Sequence, residues 1–169
     1  MSFRPRSLAA MSVLLAALVA AAAAWAVEIT HVPLPNSNFP IALAVRVPAG
    51  AETIYFSGLT PPVAKPDAPK ETPEAYGGDT EAQANAAFER LGGALKSQGL
   101  GFGDVVSLRV YLVGDPAKGG KLDFAGLQSA YTKFFATEAQ PNKPARTTVQ
   151  VAALASPGIL IEIEATAAK

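Results

Sequence analysis

The chain has 169 residues, half of them hydrophobic, with 14 basic and 14 acidic side chains and no cysteine. The absence of cysteine excludes a disulfide framework, thiolate metal ligation, a cysteine nucleophile and a lipid-modified N-terminal cysteine. Balanced charge, with no cluster of Lys and Arg interleaved with aromatics, argues against a nucleic-acid surface. The one histidine, His31, is expected at the surface, since a metal site needs several ligands at set spacings.

In chain order, residues 1–26 read as a removable signal peptide. Arg4 and Arg6 form a short positive start, Leu8 to Ala24 is almost unbroken apolar sequence, and Ala24-Trp25-Ala26 has the small-x-small form of a cleavage site. The competing reading, a permanent anchor, is supported by the run's approach to the ~18 residues of a spanning helix. Its alanine content and the lack of a basic stop-transfer cluster argue against that. The expected product is a single domain, residues 27–169, that is periplasmic or secreted and not membrane-bound after cleavage.

Short apolar stretches at 27–34 and 41–47, broken by Pro33, Pro35, Pro40 and Pro48, read as strands. After a turn at Pro48-Ala49-Gly50, residues 52–58 form a β-branched and aromatic strand ending in Ser57-Gly58. Residues 59–78 carry Pro61, Pro62, Pro66, Pro69 and Pro73 and read as an inserted surface loop, mobile or acting as a lid. Asp79 is an N-cap for a helix from Thr80 to about Gln98, with Ala84, Ala87, Phe88, Leu91 and Leu95 on one stripe and Gly99 as its terminator. Gly92-Gly93 weakens that helix or marks close packing. Residues 105–113 alternate as a half-buried strand, with Val106, Leu108, Val110 and Leu112 on one side. Asp123 caps a second helix whose buried stripe is Phe124, Leu127, Tyr131 and Phe134 or Phe135. Two strands, 147–154 and 159–167, close the chain and are expected to pair as a hairpin across Ser156-Pro157-Gly158.

Strands interrupted by two amphipathic helices suggest a two-layer α+β domain, both helices on one face of a mixed sheet. No element remains to cover the other face, so self-association is expected.

The most informative residues lie near the end. On one strand Ile161 and Ile163 share a face and Glu162 and Glu164 the other. Carboxylates mid-strand either face solvent or serve a purpose, because burying them unpaired is costly. Pro144-Ala145-Arg146, the strand Val149-x-Val151-Ala152-x-Leu154, the turn, and Ile161-Glu162-Ile163-Glu164-Ala165 together resemble the signature region of the RidA (YjgF-like) family. Phe56-Ser57-Gly58 with Pro61, Gly103-Asp104-Val105-Val106, and Tyr131-x-x-Phe134-Phe135 follow in the family's order.

The resemblance implies a chorismate-mutase-like α+β protomer assembled as a homotrimer with sites between subunits. It implies hydrolysis of reactive imines and enamines of amino acids to 2-oxo acids and ammonia, without metal or organic cofactor. Arg146 matches the family's substrate-carboxylate arginine, whose planar fork gives two parallel charge-assisted bonds. Glu162 matches the glutamate that orients or activates water, and Ser57 and Gly58 the strand end lining the pocket. Three positions depart from the pattern: Ile41 replaces a tyrosine after the proline, Gln128 an asparagine, and Thr148 a cysteine. These also fall in the substrate-binding set. Losing the phenol favours an alternative, a non-catalytic trimeric binder of small carboxylates. In the expected hairpin, Arg146 and Glu162 would lie roughly 13–17 Å apart, so a site drawing on two subunits is expected.

Overall fold

The computed structural model describes residues 28–169; the expected signal segment, residues 1–26, lies outside them. Among the described residues, no helix is long and apolar enough to cross a membrane. The strands are β1 (Thr30–Pro33), β2 (Ala42–Arg46), β3 (Thr53–Leu59), β4 (Val105–Val113), β5 (Ala145–Val151) and β6 (Ile161–Ala168), with helices α1 (Thr80–Ser97) and α2 (Phe124–Tyr131). They form one six-stranded mixed sheet in the order β1-β2-β5-β4-β6-β3.

Both helices start where their caps dictate. The Asp79 carboxylate accepts from Ala82 N at 2.9 Å and that of Asp123 from Gly126 N at 3.0 Å, each satisfying a backbone donor that the first turn leaves free. Helix α1 ends at Gly99, whose φ of +70° lets Leu100 N reach back to Leu95 O at 3.0 Å. The two helices cover one face of the sheet. Phe88, Leu91 and Leu95 of α1, Leu127 and Tyr131 of α2, and Phe135 just beyond it are completely buried with Leu108, Leu112 and Ile161. Gly92 sits within van der Waals reach of Phe102, where a Cβ would come 3.1 Å from the ring edge. Close packing therefore explains that glycine.

The terminal hairpin expected from the sequence is not formed. β4 stands between β5 and β6, running parallel to β5 and antiparallel to β6. The reason lies in residues 152–160. Ile159 is buried against Ala75 and Tyr76, and Leu160 N donates to the Gln83 side chain, so the connection is a packed excursion and not a tight turn. The β4–α2–β5 segment instead makes a parallel crossover, the connection that a covering helix supplies.

That excursion also fixes the proline-rich loop, which is packed down instead of loose. Ala64 N and Lys65 N donate to Ala75 O at 2.7 and 3.1 Å, and a 3₁₀ turn at Pro73–Tyr76 buries Ala75 and Tyr76 against Ile159. Gln83 of α1, fully buried, donates to Gly158 O at 2.9 Å and Gly78 O at 3.1 Å and accepts from Leu160 N at 2.8 Å. Ser156 Oγ donates to Lys70 O at 2.7 Å. A Cβ on Gly158 would lie 2.7 Å from the Lys70 carbonyl oxygen, so only glycine lets the two segments meet.

Gln83→Ala orphans buried backbone groups and is expected to lower stability by about 2–3 kcal/mol, read from urea unfolding at fixed protein concentration. Gly158→Ala is expected to release residues 59–78, measured as faster proteolytic nicking within them; unchanged nicking would mean that the contact does not hold the loop.

Candidate functional site

Arg146 is the second residue of β5. Its register opposite Leu108 turns the side chain toward the helix-covered face. There Nη2 donates to Gln128 Oε1 at 3.0 Å. Phe124, Gln128 and Tyr131 recur at spacings of four and three on α2, so the Asp123 cap that fixes this helix presents all three on one stripe. The Tyr131 ring lies 4.3 Å from the guanidinium carbon, and the rings of Phe39 and Phe124 at 5.5 and 5.7 Å. Tyr131 donates its hydroxyl to Pro40 O at 2.7 Å, tying the β1–β2 connection over the same spot.

The guanidinium is incompletely satisfied. Among the described residues, Nη1 is buried without a hydrogen-bond partner, and so is Thr148 Oγ1, two residues along β5 on the same face. Among the described residues, no carboxylate forms an ion pair with Arg146. Burial draws its pKa down from the ordinary arginine value, and burial pushes the Tyr131 phenol up against the opposing pull of the Arg146 charge. An arginine remains cationic in proteins, so this is a charged donor set aromatic on three sides and unpaired on one.

Glu162 belongs to a second cluster. It lies opposite Tyr111 on the uncovered face. Next to it, β3 bulges: Phe56 pairs with Ala165 and Leu59 with Ile163, leaving Ser57 and Gly58 together opposite Glu164. The bulge brings Gly58 against the Glu162 carboxyl, where a Cβ would come 2.8 Å from Cδ and 3.2 Å from Cγ. The missing side chain is therefore what admits the glutamate. The two strand glutamates differ in use. Glu164 accepts from Arg109 at 2.6 Å and from the Tyr111 hydroxyl at 3.2 Å, whereas Glu162 has no ion-pair partner among the described residues.

The expected residues thus fall into two groups. Arg146, Gln128 and Thr148 meet on the helix face, while Ser57, Gly58 and Glu162 gather at the β3–β6 edge. Counted through β4, Arg146 and Glu162 are three residues and two strand spacings apart, about 10 Å in each direction. Their side chains leave opposite faces of the sheet, so one small molecule cannot touch both within a single chain. Ile41 packs against the main core, and the aromatic facing Arg146 from that segment is Phe39, which the sequence reading did not single out. Phe124 and Tyr131 were legible only as core residues; their spacing from Gln128 was the available signal. His31, half-buried, has Nδ1 2.7 Å from Lys143 O, linking β1 to the segment leading into β5.

Comparison with known proteins agrees with this architecture. No curated protein matches the chain. A Rid-family protein, YyfB from Yersinia pestis, is 26% identical with a TM-score of 0.63, covering 83% of this chain and 98% of its own. A member of the YjgF/YER057c/UK114 family from Mycobacterium tuberculosis is 27% identical with a TM-score of 0.50 over 83% of this chain and 98% of that one. TdcF from E. coli, crystallised with bound serine, is 28% identical with a TM-score of 0.53 over 77% and 92%. The model of the family described as endoribonuclease L-PSP matches residues 36–169, and the chain belongs to this family, the Rid/YjgF proteins.

Proposed function

We propose that the protein hydrolyses reactive 2-imino and enamine acids to 2-oxo acids and ammonia, as a homotrimer exported from the cytoplasm after loss of residues 1–26. The observation that carries this reading is the half-buried Arg146 guanidinium, set among aromatic rings with a buried Nη1 that has no partner among the described residues, beside a Thr148 hydroxyl likewise without one. A buried charged donor without a partner is costly. A substrate carboxylate supplies the missing charge and acceptors, in two parallel bonds. The serine bound to TdcF, an amino acid with such a carboxylate, supports a ligand of this class.

In this reading the imine carbon is attacked by a water held by Glu162 of a neighbouring subunit, whose carboxylate accepts the water's proton. Glu162 returns that proton to the nitrogen, and the tetrahedral adduct expels ammonia as the hydroxyl proton passes to the amine and the carbonyl forms. An enamine enters by first moving a proton from nitrogen to carbon to become the imine, so that one water is consumed per 2-oxo acid and ammonia released. The opposite-face placement of Arg146 and Glu162 supports a site shared between chains, as does an uncovered face bearing Tyr55, 79% exposed, and Val149, 41% exposed. An isolated sheet face with exposed apolar side chains is stabilised by a second copy. The ribonuclease activity in the family's description is disfavoured here by a lone histidine and zero net charge.

The second reading, a non-catalytic binder of small carboxylates, is favoured by two observations: Gln128 occupies the guanidinium at 3.0 Å, and Ile41 brings no phenol to it.

The assay follows the decay of enzymatically generated 2-aminoacrylate and the appearance of pyruvate. Arg146→Ala is expected to lower kcat/KM about 100-fold, ~2.7 kcal/mol, with Arg146→Lys failing to restore it. Glu162→Gln is expected to lower kcat with little change in KM, since it acts on the water and not on the bound anion. Decay at the buffer rate with tight 2-oxo acid binding would select the non-catalytic reading. Co-assembly of the two inactive variants in equal amounts is expected to restore about a quarter of the sites if each draws Arg146 and Glu162 from different subunits; no recovery from mixed trimers would mean that the two residues do not serve one shared site.

A further inference from the structure

The rings of Phe39 and Phe124 stack on each other, with centroids 6.3 Å apart and planes 11° from parallel. Both stand within cation–π distance of the Arg146 guanidinium, with Tyr131 closer at 4.3 Å. The unpartnered Nη1 is screened from solvent. An anion approaching from outside therefore meets aromatic carbon before it meets the donor it would bind.

The two stacked rings are not equally fixed. Phe124 is the first residue of α2, and the Asp123 cap holds the start of that helix. Phe39 lies in the connection between β1 and β2, outside any helix or strand. Its neighbour Pro40 is anchored through its carbonyl to the Tyr131 hydroxyl. The connection is thus pinned next to Phe39, leaving rotation of the Phe39 side chain about its own bonds as the local freedom. Phe39 as a residue is already 36% exposed, so turning its ring outward uncovers little core.

We propose that Phe39 gates this site and Phe124 sets its specificity: the Phe39 ring covers Arg146, a carboxylate reaches the guanidinium by displacing that ring, and the ligand's side chain then packs on Phe124. The proposal rests on the carboxylate-binding reading of Arg146. Once Phe39 has turned, Phe124 has lost its stacking partner and the guanidinium its cover. A ligand with a branched aliphatic or aromatic side chain restores both, by laying apolar surface on Phe124 and keeping water from the ion pair. A ligand with only a methyl group leaves the ring bare, and one with a second carboxylate brings an anion against the face of an aromatic ring, whose quadrupole is negative there. The substrates so defined are the imino acids of apolar amino acids.

Titration calorimetry of the purified protein with phenylpyruvate, 4-methyl-2-oxopentanoate, pyruvate and 2-oxoglutarate tests this. The unsubstituted protein is expected to bind the first two at least about ten-fold tighter than the last two. Phe39→Ala opens the guanidinium and is expected to tighten binding of all four acids by a similar factor, because displacing the ring is a cost common to them. Phe124→Ala, which removes the surface on which the ligand side chain packs, is expected to bring the phenylpyruvate-to-pyruvate ratio below about three. No tightening in Phe39→Ala, or an unchanged ratio in Phe124→Ala, would overturn the proposal while leaving Arg146 as the carboxylate anchor. Binding insensitive to Arg146→Ala, or no binding of any acid by either the unsubstituted protein or Phe39→Ala, would instead remove the carboxylate reading, and the role of Phe39 with it.

Discussion

Strand β4 is the constraint on which the molecule depends. It is hydrogen-bonded to β5 on one side and β6 on the other, and its alternate residues Leu108, Val110 and Leu112 supply the centre of the core. Because side chains in a sheet alternate with period two, the two registers on β4 decide where every neighbouring functional group points. Opposite Leu108, Arg146 goes under the helices; opposite Tyr111, Glu162 goes to the uncovered face. A slip of one residue on either side would exchange a buried cation for an exposed one, or a free carboxylate for a core isoleucine. Burial of the flanking apolar residues makes such a slip costly.

On the helix face, the Arg146 charge is not balanced by any carboxylate among the described residues. Three aromatic rings remove water from the guanidinium, and one amide oxygen satisfies part of its donor set. Quadrupole attraction and a single neutral hydrogen bond offset only part of the lost hydration. The effective dielectric around the group is reduced, which strengthens attraction to an incoming anion relative to a surface arginine. Across the sheet Glu162 is treated differently. Its carboxylate is accommodated by a glycine and has no cation beside it among the described residues, while Glu164, two residues on, is neutralised by Arg109. The same strand thus carries one glutamate that serves the sheet's surface and one that is available.

Much of this was legible from residue order. Strand and helix positions followed from period and from the caps Asp79 and Asp123, because those signals are local. The two-layer arrangement and the uncovered face followed from counting apolar stripes. Strand order was not legible: alternation in 145–151 and 161–168 says which side chains are buried but not which ladder they join, and the Ser156-Pro157-Gly158 turn resembled a hairpin connection. Only the packing of Ile159 against the proline-rich segment, with Leu160 N and Gly78 O both held by Gln83, shows why that turn serves another purpose. Arg146, Gln128, Thr148, Ser57, Gly58 and Glu162 were identified through family resemblance, and their separation into two groups required the register on β4. Phe39 left no periodic trace, since it sits in an irregular connection where neither the helical nor the strand repeat applies.

The bulge at Ser57–Gly58 has a bearing on solubility. β3 is an outer strand, and a regular outer strand offers a row of free amides and carbonyls to any other chain able to extend the sheet. By inserting an unpaired residue where β3 approaches Glu164, the fold kinks this border away from the flat geometry that strand addition requires. At the far border β1 is four residues long and ends in Pro33, which lacks an amide to donate. The irregularity that makes room for a glutamate thereby also discourages runaway fibre growth, so that a chemical requirement and a colloidal one are met by the same two residues.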